Sequence, residues 1–128
     1  MKLNDISNIN LQHYQDLWPT IRQLFGKPIE YISNKIYIGN AGNVKIYAVN
    51  GDYVKEHYDM DFVEGGNDKR YPDFIPSNEV WVDINLDKHE WPFVAYHEFV
   101  ERDIMIKYGM EYDNAHDIAN ELEKDIRI

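Results

Sequence analysis

Apolar residues change their spacing twice along this chain, and that succession restricts it to folds that combine helices with a sheet. From Asn10 to Phe25, Leu11, Tyr14, Leu17, Trp18, Ile21, Leu24 and Phe25 recur at helical intervals. Pro19 is expected to kink or divide this helix, and Gly26-Lys27-Pro28 to stop it. Lys35 to Gly39, Val44 to Asn50 and Tyr53 to Val63 then alternate in polarity and are rich in Tyr, Ile and Val, which predicts strands. Asn50-Gly51 falls between two of these runs and reads as a tight hairpin turn. Glu64 to Asn78, with Gly65, Gly66, Pro72 and Pro76, reads as a long loop. Glu79 to Ile84 follows as another strand, with Val80, Val82 and Ile84 on one face and Trp81 and Asp83 on a solvent-facing one.

The C-terminal third returns to helical spacing. Pro92 suits a first helical turn and Gly109 a C-terminal cap, bracketing a helix from about Pro92 to Tyr108 with a core stripe of Phe93, Val94, Val100, Ile104, Met105 and Tyr108. Asp113 is expected to cap a last helix running to about Ile126, with Ala115, Ile118, Ala119, Leu122 and Ile126 inward. The predicted fold class is α+β: an N-terminal helix, a mainly antiparallel sheet and a C-terminal helical hairpin. No repeat or composition break divides residues 1–128, so one domain is expected.

On the first helix of that hairpin lie His97, Glu98 and Glu101. His97 and Glu101 are four residues apart and share a face, so an imidazole and a carboxylate can grip one ion. Glu98 is rotated by about 100° and can reach an attacking water from the side, the general-base position of HExxH metallopeptidases. Here Glu stands in place of the second His. A two-His, one-Glu set is a known catalytic zinc combination that leaves a coordination position open. His116, on the partner helix, is the expected third ligand, with Asp113, Asp117 and Glu121 as candidate acceptors for a ring N–H. Because the chain contains no Cys, any metal, zinc or another divalent ion, must be held by His and carboxylates. An HExxE match arises by chance in roughly one chain in a hundred of this length. The competing structural reading is therefore an ion-pair ladder in which Glu98 and Glu101 bond Arg102 or nearby Lys.

Charge narrows the partners. Asp and Glu number 23 against 13 Lys and Arg, a formal net charge of −10, which disfavours direct binding to nucleic acid. The same excess suits either a solvated acidic surface or a non-catalytic inhibitor that imitates nucleic acid in the basic groove of another protein. The first residues, Met1 to Ile6, carry no apolar run of signal-peptide length, and no stretch approaches a membrane span, so a cytoplasmic protein is expected. His13, His57 and His89 read as ordinary surface or half-buried histidines, and the charged runs Asp59-Met60-Asp61 and Asp68-Lys69-Arg70 as solvated.

Taken together, Tyr71-Pro72, Ile75-Pro76, Glu79-Val80-Trp81-Val82-Asp83, His97-Glu98-x-x-Glu101-Arg102, Gly109-Met110 and Tyr112-x-x-Ala115-His116 resemble a group of small, largely uncharacterised microbial and phage zincin-like proteins. The resemblance spans Gly65 to Glu123. It implies a zincin-like fold, metal positions at His97, Glu101 and His116, a base at Glu98, and a strand-and-loop signature at Gly65, Gly66, Tyr71 and Trp81. By analogy with zincins, the strand from Glu79 to Ile84 would line up an extended peptide or protein substrate. The implied activity is hydrolysis of the metallopeptidase kind. Glu at position 101 weakens that implication, because a carboxylate ligand leaves a metal less Lewis acidic than an imidazole does.

Overall fold

The computed structural model of the protein describes residues 8–27 and 35–127. The expectations for Met1 to Ile6 and for the helix stop at Pro28 lie outside them. The elements are α1 (Leu11–Leu24), β1 (Lys35–Ala41), β2 (Val44–Val49), α2 (Gly51–His57), β3 (Gly65–Asn67), β4 (Glu79–Asp83), α3 (Trp91–Lys107) and α4 (Tyr112–Ile126). The class is α+β, as the periodicity implied.

α1 starts where Asn10 caps it, its side chain accepting the His13 N–H at 3.1 Å, and it continues through Pro19. Tyr14 and Ile21 are its buried residues. Tyr14 ties α1 to α3 twice: its hydroxyl donates to Asp103 at 2.6 Å, and its carbonyl accepts from the Tyr96 hydroxyl at 2.7 Å. Trp18 stacks on Phe93 and meets Tyr96 edge-on in the same seam.

The sheet is mixed rather than mainly antiparallel. Its order is β1-β2-β4-β3; β2 and β4 run parallel, and the other two pairings are antiparallel. A parallel pair requires a long crossover. The chain between β2 and β4 supplies it with α2 and β3, and the Tyr53–Val63 stretch, expected as a strand, instead forms the end of α2, turns and an isolated bridge at Val63. The hairpin lies earlier than expected, with Ala41 opposite Val44 and Gly42 at φ +61°. Asn50 instead opens α2: at φ −73° its side chain accepts the N–H groups of Asp52 and Tyr53 at 3.1 and 3.2 Å. Gly51 is required for another reason, since its N–H donates to Asp83 at 3.0 Å and a Cβ there would lie 2.3 Å from that carboxylate.

β4 is buried along its whole length. The alternation is as predicted, but the second face is not solvent-facing. Val80 and Val82 join the main core with α3, while Trp81 packs with Phe62, Tyr71, Ile75 and Val54 in a second cluster made by the segments around α2 and β3. Asp83 is accordingly buried and accepts from Gly51 and Asn85. With β2 on one side and β3 on the other, β4 has no free edge to pair with a substrate, which corrects the expectation for the Glu79–Ile84 strand.

α3 and α4 form the predicted hairpin. Gly109, at φ +61°, follows the last turn of α3. α4 begins two residues earlier than expected: Glu111 is the cap residue, without a side-chain bond, and Asp113 lies in the first turn, where its charge favours the helix dipole. Among the described residues no helix is long and apolar enough to cross a membrane.

The two roles of the Asn50-Gly51 pair are separable. Asn50→Ala is expected to cost about 1 kcal/mol, the usual worth of an N-cap, and Gly51→Ala clearly more, because the Asp83 carboxylate must move; urea denaturation midpoints of the two variants check the order.

Candidate metal site

α3 is enclosed by α1, α4, β3 and β4, so its polar side chains lose water and must find partners. His97, Glu98, Glu101 and Arg102 are all buried, Glu101 to within 1%. Each finds them in a different place.

His97 Nε2, Glu101 Oε2 and His116 Nδ1 converge. The separations are 3.1 Å from His97 to Glu101, 3.1 Å from His97 to His116 and 2.8 Å from His116 to Glu101. Three donors held about 2.0–2.1 Å from one tetrahedral ion stand roughly 3.3 Å apart, close to these edges. As a hydrogen-bonded triad the arrangement is mismatched. Two ring nitrogens and one carboxylate oxygen make three contacts, but two N–H groups facing one another repel, and a single N–H can point along only one edge. A cation between the three lone pairs resolves the mismatch. This buried group could hold a metal ion, and its N,N,O donor set suits zinc and other first-row divalent metals.

Asn67, at the end of β3, fixes the carboxylates. Its Oδ1 accepts from the backbone of Lys69 and Arg70, so its amide must present Nδ2, which donates to Glu98 Oε1 and Glu101 Oε1 at 3.0 Å each. One oxygen of Glu101 is thus committed to Asn67 and the other faces the imidazoles. β3 comes this close because Gly65 has no side chain: a Cβ would meet the Trp81 carbonyl and Val94 at 2.7 Å, with Glu98 Cγ at 3.4 Å. The Gly65 and Trp81 of the resemblance therefore have a packing role here. Burial, reinforced by the charge of Glu101, pushes the Glu98 carboxyl well above the usual carboxylate range.

α4 contributes more than His116. Tyr112, His116, Asn120 and Glu123 follow helical spacing and line one cavity of about 380 Å³ with His97, Glu98, Glu101 and Arg70. Tyr112 stacks on His116, ring centres 5.3 Å apart, and its hydroxyl lies 3.5 Å from Nδ1. The His116 side chain is 38% exposed, so the convergence point opens to the cavity. Glu123 Oε1 stands 3.1 Å from His97 Nδ1, off the ring N–H direction, and Oε2 accepts from Arg127 at 2.8 Å. Burial opposes protonation of His97, yet the surrounding carboxylates of Glu101, Glu123 and Glu98 outweigh it and carry the ring to about 10.

The acceptors expected at Asp113, Asp117 and Glu121 are all exposed, and Glu121 pairs with Lys124. Glu123 takes their place because it lies seven residues from His116, two turns along the same face. Nothing in the local spacing singled out Asn67. The ion-pair ladder does not form. Arg102 turns away from Glu98 and Glu101 to bond Asp68, and reaches Asn78 at 2.7 Å, so Asp68 is buried rather than solvated. His13, His57 and His89 are exposed and outside the site.

Comparison of the chain with protein-family models, curated proteins and solved structures found no match.

Asn67 and Glu123 act on the ligands without being ligands. Asn67→Ala and Glu123→Ala are each expected to weaken Zn²⁺ binding by about 10- to 100-fold, measured by competition with a chromogenic chelator, while circular dichroism stays that of the parent.

Proposed function

We propose that the protein is a zinc-dependent hydrolase with a zincin-like site, acting on peptide or other amide bonds. The observation that carries this reading is the convergence of His97, Glu101 and His116 on one point, with Glu98 fixed beside it on the wall of an open cavity. A bound zinc ion would supply Lewis acidity, polarising the scissile carbonyl and acidifying water. The chain's residues supply the rest. Asn67 restrains Glu98 so that the carboxylate can take a proton from the attacking water as its oxygen bonds to the carbonyl carbon, and then deliver that proton to the leaving nitrogen as the C–N bond breaks. A raised affinity of Glu98 for protons suits both halves of that transfer. Tyr112 and His116 close one wall and limit water beside the reacting group.

A second reading keeps the metal but makes it structural, since the ligands come from both arms of the α3–α4 hairpin. The non-catalytic acidic inhibitor suggested by the net charge of −10 is a separate alternative on the same fold.

Metal analysis and assay of point variants separate these. The purified protein is expected to contain one zinc per chain, and His97→Ala, Glu101→Ala and His116→Ala to lose it. Glu98→Gln should keep the zinc while hydrolysis of a mixed peptide library, followed by mass spectrometry, falls by about 10²- to 10⁴-fold. Protein without stoichiometric metal after growth in zinc would sink the site. Zinc-loaded protein that cleaves nothing, but melts at lower temperature once chelated, would leave the structural reading.

A further inference from the structure

Arg70 lines the same cavity and is out of place electrostatically. The charged wall around it is acidic, with Asp61, Glu64, Glu98, Glu101 and Glu123. Two other arginines are matched: the buried Arg102 of α3 with Asp68, and Arg127, just after α4, with Glu90 and Glu123. Arg70 makes no ion pair among the described residues, and its Nε is out of solvent without a hydrogen-bond partner. A guanidinium in that situation retains unused donors.

It is nevertheless held in position. Its guanidinium carbon lies over the rings of Tyr71 and Tyr112, 4.8 and 4.5 Å from their centres. Tyr71 is itself fixed by its hydroxyl, which donates to the Asp61 carbonyl at 2.9 Å, and Tyr112 by its stack on His116. The layers Tyr71, Arg70, Tyr112 and His116 thus connect the free guanidinium to a proposed metal ligand.

We infer that Arg70 is the recognition group for a substrate carboxylate, and that the cavity takes amide substrates carrying a free carboxylate one residue beyond the bond at Glu98, as a peptide C-terminus does. This rests on the hydrolase reading above. The spacing fits. The ring contacts keep the Arg70 guanidinium no more than about 10 Å from the His116 ring, a reach that a carbonyl at the metal point, one residue of extended chain spanning roughly 3.3–3.6 Å, and a guanidinium–carboxylate contact can cover. Charge selects the anion as well. With Asp61 and Glu64 nearby, a singly charged carboxylate is accommodated more easily than a doubly charged phosphate. A planar guanidinium also matches a carboxylate in two parallel hydrogen bonds.

The test uses the full chain loaded with zinc and a panel of acetylated tripeptides, acetyl-Ala-Ala-Xaa, each made as the free acid and as the C-terminal amide. Binding is read by calorimetry with Glu98→Gln protein, which leaves Arg70 intact, and turnover by mass spectrometry with the parent. The acids are expected to bind at least about tenfold more tightly than the amides. Arg70→Met, which preserves a chain between the two rings, should remove that preference through KM with zinc content unchanged, and Arg70→Lys should restore part of it. Equal binding of acid and amide, no saturable binding of the acids, or a preference that survives in Arg70→Met would overturn the assignment. So would tighter Arg70-dependent binding of inorganic phosphate. Zinc content and Glu98-dependent turnover are read separately, so a protein that cleaves amides as readily as acids refutes the carboxylate role and leaves the hydrolase standing. A zinc-free protein refutes the hydrolase first.

Discussion

The burial of four consecutive-turn ionisable side chains on one helix sets the terms for this structure. α3 carries His97, Glu98, Glu101 and Arg102 into the interior, and stripping water from such groups costs several kcal/mol each unless partners replace it. The segments that touch α3 are arranged to provide those partners. Asn67 meets the two glutamates, Asp68 and Asn78 meet the arginine, and His116 and Glu123 meet the histidine and Glu101. The short strand β3, which by length alone would contribute little to the sheet, is where Asn67 enters, and Asp68 follows directly after it.

The partners divide by chemistry. On the Arg102 side the match is complete: a guanidinium faces a carboxylate and an amide oxygen, and the pair joins α3 to the loop between β3 and β4. On the His97 side it is not, because two imidazole nitrogens and a carboxylate oxygen meet at one point and no placement of their protons satisfies all three contacts. One helix therefore holds a satisfied structural pair on one face and, on another, a site whose charges call for a cation. The open cavity lies on the second face. Glycine at 65 is what permits β3 to approach it, since any side chain there would strike the Trp81 carbonyl.

Local patterns in the sequence were informative where the physical cause is local. Helical spacing located α1, α3 and α4, and the i, i+4 relation of His97 and Glu101 put both on one face. The choice of His116 needed only one further step, that two helices joined by a short turn pack antiparallel. Patterns misled where one residue type has two uses. Asn50-Gly51 has the composition of a hairpin turn, but Asn also caps helices and Gly also yields room, and a carboxylate distant in sequence, Asp83, decided between them. Likewise Trp81 and Asp83 alternate correctly with Val80 and Val82, yet whether the second face meets water depended on the cluster of Phe62, Tyr71 and Ile75 folded over it.

The sequence by itself determined the class of fold, the helix that bears the candidate site, and the three residues whose donor atoms meet there, because periodicity and side-chain chemistry are properties of short stretches. The tertiary structure alone decided which partners those residues have: Asn67 rather than Arg102 for the glutamates, Glu123 rather than Asp117 beside His97, and an Arg70 without an ion pair among the described residues in the same cavity. It also decided that the sheet is mixed and that β4 is interior. The physical reason is the same in each case. Hydrogen bonds and ion pairs between segments distant in sequence depend on which surfaces the fold brings together, and no spacing along the chain encodes that.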